Sequence, residues 1–528
     1  MSAVNTLTAQ PLLSRRNHWI NWVATHAEMK PDQAAFRFRG EVTTWRQLRD
    51  RSAAMAGALA RRGVGQGDRV LLLTLNRTEF FEAVLAINAV GALAVPVNFR
   101  LTPPEVAYIA RDCGARAVFT EPALLPLVQA VRGEESELEL VVNMGADTAG
   151  DALGYEELVA ESQPFTPIDL PEDLPALILY TSGTTGRPKG AVLSHGNMSA
   201  QALTCIRAMH YNGGDDVGFL ASPVFHVAAL GSVAPMLMLG ATTVIHPLKA
   251  FDPSEMLDAW EGEHVTTVFL VPVQWQAICA DPTVQQRDLA LRVISWGAAP
   301  ASDTLLRAMA ETFPDAKNVA VFGQTEMSPI TCVLDGDDAI RKLGSVGKPI
   351  PTIQTRVVDD DMNDVAPGQV GEIVYRGPTM MAEYWRNPQA TADAFYGGWF
   401  HSGDLVRVDD EGFVYVVDRK KDMIISGGEN IYCAEIENVL FAHPRIREAA
   451  VIGRPDPKWT EVPVAVVALE AGQDLTLAEL VDWLGDRLAR YKHPKDLVVV
   501  EALPRNASGK VVKGELRESA PASARAAG

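Results

Sequence analysis

Residues 176–197 read ALILYTSGTTGRPKGAVLSHGN. An apolar run, Leu177–Tyr180, leads into a segment of glycine, serine and threonine that ends in Arg187, Pro188 and Lys189. Glycine accepts turns that expose backbone N–H groups, and the hydroxyls of Thr181, Ser182, Thr184 and Thr185 add further donors. Such a collar suits a polyphosphate whose outer charge Arg187 or Lys189 neutralises, while Pro188 fixes φ and removes one donor. The lysine stands outside the Gly-x-x-x-x-Gly-Lys-Ser/Thr pattern of kinases and nucleotide hydrolases. A cluster of these residue types also makes plain turns, so the loop does not define a function alone. Beyond it, Ala191–Leu193 leads toward a helix with Asn197 as the expected cap.

Upstream, the chain reads as repeated α/β units. TTWRQLRDRSAAMAGALARR opens with Thr44 as N-cap and Gln47 three residues later, a capping box, and Leu48, Ala56, Leu59 and Ala60 share a helical face. DRVLLLTLN is a strand, TEFFEAVLAINAVGA a helix and LAVPVN a strand; PEVAYIARDCGA and RAVFT repeat the order. Strands apolar at nearly every position require cover on both faces, hence a mainly parallel sheet with helices on either side. Further strands are expected at Leu177–Tyr180, Val265–Val271 and Arg292–Trp296. After about residue 343, LGSVGKPIPTIQTRVVD and VGEIVYRG mark a smaller strand-rich subdomain. The tail continues with helix CAEIENVLFAH, strands EAAVIG and VPVAVVAL, and helix LTLAELVDWLGDRLARY, capped by Thr476 and Glu479 with Leu480, Trp483 and Leu484 on its apolar stripe. The fold class is therefore α/β: a large multi-subdomain N-terminal region and a small C-terminal α/β domain, with SAPASARAAG as a loose tail.

With 528 residues, 47% hydrophobic and 21% charged, the chain is large enough for at least two folding units. A net charge of −19 argues against nonspecific nucleic-acid binding. No apolar stretch suggests a membrane span and no secretion signal opens the chain, so a cytoplasmic protein is expected. Membrane association would be peripheral, through a lipid substrate, since no strongly basic amphipathic anchor stands out. Cys113, Cys205, Cys279, Cys332 and Cys433 lack metal or redox spacing and are expected to be reduced thiols.

Three downstream clusters extend the loop's reading. In VFGQTEMSP, Thr325 can hydrogen-bond a phosphate and the Glu326 carboxylate can hold Mg²⁺ between phosphate oxygens. WFHSGDLVRVDDEGFVYVVDRKKDMIISGGENI contains Asp404, suited to a ribose diol, and Arg419, which can bridge hydroxyls or phosphate. LPRNASGKVVKGEL carries Lys510 on a glycine-containing loop, where a mobile lysine can neutralise charge developing at one phosphate.

In this order, YTSGTTGRPKG, FGQTE, HSGDL, DRKKDMIISGGENI and PRNASGK resemble the adenylate-forming superfamily of acyl-CoA synthetases, peptide-synthetase adenylation domains and beetle luciferases. The resemblance covers nearly the whole chain and is nearest in texture to actinobacterial fatty-acyl-CoA ligases. It implies that Thr181, Ser182, Gly183, Thr184, Thr185, Gly186 and Lys189 close over the β and γ phosphates of ATP. It assigns Gly297, Ala298 and Ala299 of GAAP to the adenine and acyl sites, and Phe322, beside Gly323, to the adenine face. Many relatives have tyrosine at the Phe322 position; phenylalanine keeps the ring and loses the hydroxyl. Thr325 becomes the phosphate contact, Glu326 the Mg²⁺ contact, Asp404 and Arg419 the ribose pair, and Lys510 the adenylation lysine.

The resemblance also places a hinge at Lys421, dividing residues 1–420 from 421–528. In the implied cycle a carboxylate attacks the α-phosphate of MgATP, giving acyl-adenylate and pyrophosphate. The small domain then rotates, withdraws Lys510 and brings SGGEN, with Gly427 and Gly428, to the site. There the CoA thiol takes the acyl group and AMP leaves. The lysine's displacement from the loop then makes sense, because the reacting centre is the α-phosphate and the loop clamps the leaving pyrophosphate.

SPVFHVAALGSVAPMLMLG supplies the candidate acid pocket, with His226 resembling a histidine near the acyl carboxylate and thiolation channel. FHVAAL has no acidic residue to pair with a substrate ammonium, which argues against amino acids. Ala228, Ala229, Gly231 and Ser232 are small, and Val271, Trp275 and Trp296 can wall a chain, so a medium- or long-chain fatty acid is expected. An aryl acid, or a carrier-protein phosphopantetheine in place of CoA, are the alternatives. An oxidative luciferase is a further alternative. A nucleotide-binding interaction protein is the non-enzyme alternative, weakened because Glu326, Asp404, Arg419 and Lys510 are all present. A homodimer is compatible with the sequence, which names no interface.

Overall fold

The computed structural model of the chain describes residues 16–132, 138–145, 150–181, 187–299, 301–336, 338–426, 429–505 and 511–519. Contacts divide it into two compact units, Met1–Thr355 with Tyr375–Phe400, and Arg356–Val374 with His401–Gly528.

The α/β units of the first third form as expected. Thr44 Oγ1 accepts from the Gln47 N–H at 3.2 Å, and Gln47 Oε1 accepts from the Thr44 N–H at 2.8 Å. That reciprocal pair starts helix Trp45–Arg61, which buries Leu48, Ala56 and Leu59. Helices Thr78–Ala89 and Pro103–Cys113 alternate with strands Arg69–Leu73, Leu93–Pro96 and Ala115–Thr120, and Leu93–Pro96 is buried throughout.

Among the described residues the first unit holds two large sheets. In one, six parallel strands run in the order Lys317–Gly323, Val293–Gly297, Thr267–Leu270, Val217–Leu220, Thr242–Ile245, Ala34–Phe38, with antiparallel strands added at both edges. In the other, Pro175–Thr181, Leu93–Pro96, Arg69–Leu73, Ala115–Thr120, Leu140–Asn143 and Leu153–Gly154 are parallel.

The stretch after the glycine-rich loop is itself a strand. Lys189–Ser194 runs antiparallel to Pro175–Thr181 and pairs Lys189 with Thr181. Helix His195–Ala208 follows, and its cap is Ser194: Oγ accepts from the Asn197 N–H at 3.1 Å, while Asn197 Oδ1 accepts from the Ser194 N–H at 2.8 Å. The capping role expected of Asn197 therefore belongs to Ser194. Asn197 lies inside the first turn and serves as its reciprocal partner.

The second unit is built on a four-stranded sheet, Gln354–Val358, Gly371–Arg376, Phe400–Val408 and Val414–Arg419, and on the C-terminal α/β layer. In that layer helix Cys433–Phe441 lies against strand Ile446–Asp456, which pairs with Thr460–Leu469. Asp418 Oδ2 accepts from the Cys433 N–H, linking the sheet's last strand to the helix start. Thr476 and Glu479 form the expected capping box. Their helix, Leu477–Leu484, is shorter than the apolar periodicity predicts, because Gly485 at φ 34° ends the α-helix and a 3₁₀ turn takes over.

None of the five cysteines is in a disulfide. Burial pushes the Cys113 and Cys205 thiols up to about 12, as expected of inert packing residues. Among the described residues no helix is long and apolar enough to cross a membrane.

Candidate active site

The first unit brings three sequence clusters together at the carboxyl ends of its strands, where open α/β sheets hold their ligands. Strand Val293–Gly297 ends beside strand Lys317–Gly323, with Gly297 paired to Val321. A Cβ on Gly297 would stand 2.3 Å from the Val321 carbonyl oxygen, so only glycine allows this approach. The chain then turns through Ala298 at φ +64°, a left-handed conformation without glycine, and Ala298 and Ala299 are exposed at the strand end.

Phe322, half-buried, closes the neighbouring strand, and its carbonyl accepts from Thr331 Oγ1 at 3.2 Å. At Gly323 a Cβ would fall 1.9 Å from the Pro329 carbonyl oxygen, which the Gln324 N–H bonds at 2.8 Å. This contact folds the chain into the 3₁₀ turn Thr325–Met327 and delivers Glu326.

Glu326 is 8% exposed. Its Oε1 accepts from Thr181 Oγ1 at 3.2 Å and from the Tyr384 hydroxyl at 2.9 Å. Thr181 is the last residue of the strand entering the glycine-rich loop, so this bond joins a strand end of one large sheet to the turn that follows a strand of the other. Lys189, across the hairpin from Thr181, holds Nζ 5.2 Å from the Tyr384 ring centroid. The Arg187 guanidinium lies 5.8 Å from the Tyr108 ring. Burial, and then the Glu326 carboxylate, push the Tyr384 phenol well above its usual range, so it stays a donor.

Ser182, Gly183, Thr184, Thr185 and Gly186 lie outside the described residues, as do Gly427, Gly428 and Lys510. Among the described residues no group of three or more His, Cys, Asp or Glu is placed to hold a metal ion. One carboxylate among hydroxyls does fit Mg²⁺, which takes one or two protein carboxylates and completes its shell with phosphate oxygens and water.

His226 stands at the N-cap of helix Val227–Leu239, half-buried, with its ring 4.7 Å from that of Phe225. Asn76 anchors this turn from a distant loop: Nδ2 donates to the Ser222 and His246 carbonyls at 3.0 and 3.2 Å, and Oδ1 accepts from the Val224 N–H at 3.0 Å. The small residues beyond are used in packing. A Cβ on Gly231 would meet Pro329 Cδ at 2.9 Å, and Ala229 is fully buried. Trp275, expected on the acid-pocket wall, is instead packed between Trp260 and Phe313, and its indole N–H donates to the Ser295 carbonyl. An apolar ring on a helix face finds its largest burial between the neighbouring helices. The Trp296 indole donates to Asn318 at 2.9 Å.

The second unit carries the other expected pair. Asp404 and Arg419 are register partners on adjacent antiparallel strands, Nε to Oδ1 2.9 Å. The strand segment before Asp404 is held by Glu372, whose Oε1 accepts from the Gly403 N–H at 3.0 Å and whose Oε2 stands 3.1 Å from His401 Nδ1.

Tyr384 and Asn76 are the residues that sequence reading did not single out. Tyr384 is 58 residues from Glu326, and MAEYWRNP carries no pattern that marks its hydroxyl.

Two family descriptions match the chain: AMP-binding enzyme over residues 23–385, and AMP-binding enzyme C-terminal domain over residues 435–510. Feruloyl-CoA synthase of Amycolatopsis sp is 41% identical over 503 residues, 94% of this chain and 98% of the relative. The long-chain-fatty-acid–CoA ligase FadD13 of Mycobacterium tuberculosis is 36% identical, over 90% of this chain and 92% of the relative. Among solved structures, o-succinylbenzoate CoA synthetase of Bacillus subtilis with its acyl-adenylate intermediate superposes with TM-score 0.84 at 31% identity, covering 96% of this chain and 98% of that one.

Proposed function

The chain belongs to the AMP-binding enzyme family and is an AMP-forming acid–CoA ligase that uses ATP, Mg²⁺ and CoA; from that premise we propose that its acid is aromatic. The observation that carries this is the higher identity to the feruloyl-CoA synthase, 41% against 36% for the fatty-acyl ligase, over nearly the same span. The packing agrees. The fatty-acid expectation rested on small residues leaving room for a chain, and Gly231 and Ala229 are closed against Pro329 and the core.

The acid carboxylate attacks the α-phosphate of ATP, pyrophosphate leaves, and the CoA thiol then attacks the acyl-adenylate carbonyl and releases AMP. In the reading proposed here Thr181 and Lys189 hold the outer phosphates with the glycine-rich loop. Thr325 hydrogen-bonds a phosphate, Phe322 and Gly297–Ala299 flank the adenine, and His226 stands by the acyl carboxylate. Asp404 and Arg419 take the ribose, Glu326 holds Mg²⁺, and Lys510 serves the first half-reaction. Mg²⁺ supplies charge neutralisation on the phosphates. Lys421 is the proposed hinge, and cytoplasmic location the proposed setting.

The test is thioester formation from ATP and CoA across hydroxycinnamic, arylacetic, benzoic and straight-chain acids. The aromatic reading expects the highest kcat/KM with an aryl acid and no regular gain with alkyl length. Rates rising along the alkyl series would restore the fatty-acid reading, for which each buried CH₂ adds about 0.8 kcal/mol. AMP release with a carrier protein and none with free CoA would overturn the choice of acceptor.

A further inference from the structure

We propose that Tyr384 is a positioning residue for the divalent cation that accompanies ATP: with Thr181 it holds Oε1 of Glu326 and leaves Oε2 as the oxygen open to the cation. The inference rests on the reading of Glu326 as the Mg²⁺ carboxylate and adds a residue to it.

A carboxylate that is 8% exposed must be aimed, because desolvation leaves it no alternative hydration. Two hydroxyl donors converge on Oε1, from Tyr384 at 2.9 Å and Thr181 at 3.2 Å, which uses both lone pairs of that oxygen. Among the described residues Oε2 has no hydrogen-bond donor.

The two hydroxyls come from strands that pair with the same neighbour. Tyr384 is paired with Ala191 on the return strand of the hairpin, and Thr181 with Lys189 on that strand. The short strand Glu383–Tyr384 is pinned on both sides of Tyr384, where the Ala382 and Trp385 N–H groups donate to the Val192 and Gly190 carbonyls at 2.9 and 2.7 Å. The Tyr384 N–H itself donates to Thr391 Oγ1 at 3.0 Å. A Cβ on Gly190 would stand 2.6 Å from Ile178 Cγ2 and 3.2 Å from Tyr180 Cζ, so the hairpin has little slack there. The phenol ring also receives Lys189 Nζ on its face at 5.2 Å. One side chain therefore ties the basic end of the glycine-rich loop to the cation carboxylate. Glu326 backs it through its own carbonyl, which accepts from the Met381 N–H at 2.8 Å.

The test is calorimetric binding of α,β-methylene-ATP to the whole enzyme, with Mg²⁺ and with EDTA, read as the factor by which Mg²⁺ tightens binding. Tyr384→Phe keeps the ring under Lys189 and removes only the hydroxyl. It is expected to leave affinity in EDTA unchanged and to lower the Mg²⁺ factor about tenfold, the scale of one hydrogen bond to a charged group. Glu326→Gln is expected to remove the Mg²⁺ factor almost entirely. Thr181→Val removes the weaker donor to the same oxygen and leaves the Tyr384 side chain in place; because Thr181 is also proposed to hold the outer phosphates, it is expected to weaken binding in EDTA too and to lower the Mg²⁺ factor less than Tyr384→Phe does. A full Mg²⁺ factor in Tyr384→Phe, with the factor lost in Glu326→Gln, overturns the role of Tyr384 and leaves Glu326 as the cation residue. An unchanged factor in Glu326→Gln overturns the reading of Glu326 and the proposal with it. Equal weakening with and without Mg²⁺ in Tyr384→Phe would assign the tyrosine to general packing and also overturn the proposal.

Discussion

Asp404 and Arg419 face one another across two antiparallel strands of the second unit, Nε 2.9 Å from Oδ1, with the carboxylate side chain 2% exposed and the guanidinium 41% exposed. The strand register presents a polar pair at one point of a sheet, and the half-open arginine leaves donors for a ligand. A diol bonding this carboxylate would meet an acceptor already oriented by its partner. Asp404→Asn is expected to raise KM for ATP about tenfold with little change in fold, since the loss is one hydrogen bond to a charged group. Steady-state kinetics at saturating acid and CoA checks this, and an unchanged KM would remove Asp404 from the nucleotide site. Arg419→Ala is expected to cost stability as well, about 1–3 kcal/mol by urea denaturation, because a buried carboxylate loses its counter-charge.

Gly323→Ala should be among the most damaging single changes in the first unit. The added Cβ would fall 1.9 Å from the Pro329 carbonyl oxygen, and backbone cannot yield as a flexible side-chain end can. The expected cost is about 3 kcal/mol of stability, the upper range for overpacking, together with loss of ATP binding as the turn carrying Glu326 shifts. Parallel urea denaturation and nucleotide titration measure the two effects. Wild-type values in both would show that the Gly323–Pro329 approach does not set the site.

His18 and His195 are both 2% exposed, with ring centroids 5.0 Å apart. Burial, and then His18, push the His195 pKa down to about 3, and burial lowers His18 too; the charged groups acting on His18 are Glu172, Arg16 and Asp169. Below its ordinary pKa of 6.5 His195 takes up a proton in the unfolded chain but not in the fold, so stability falls as pH drops from about 6.5 toward 3. The slope contributed by one such histidine is at most about 1.4 kcal/mol per pH unit. Urea denaturation between pH 4.5 and 7 is expected to show this loss, and His195→Phe to flatten it. An identical slope in the variant would trace the acid sensitivity to other groups.

Lys510→Ala is expected to slow acyl-adenylate formation by about 10²-fold while leaving thioester formation from supplied adenylate much less affected, if the lysine addresses charge only in the first half-reaction as proposed. Pyrophosphate release and thioester formation, measured separately, distinguish the two. Equal loss in both would remove Lys510 from that specific role.

Most of the frame was legible from residue order. Uninterrupted apolar runs such as Leu93–Pro96 marked strands covered on both faces, and Thr44 with Gln47, or Thr476 with Glu479, marked helix starts through reciprocal bonds that need only three residues of spacing. Such signals are local, so they survive without knowledge of the tertiary fold. Asn197 shows their limit, because Ser194 and Asn197 both have capping side chains and only the point where the return strand ends decides which is the cap. Trp275 shows another, since apolar rings serve a pocket wall and a helix interface equally well.

By itself, the sequence determined the family through the order of YTSGTTGRPKG, FGQTE, HSGDL and PRNASGK, because each motif is a short run of adjacent residues. The tertiary structure alone decided that Thr181 and Tyr384 converge on one oxygen of Glu326, and that Gly231 is packed against Pro329. Those relations join residues 58 to 145 positions apart through strand pairing and burial, and no local pattern encodes which distant side chain arrives at a given oxygen.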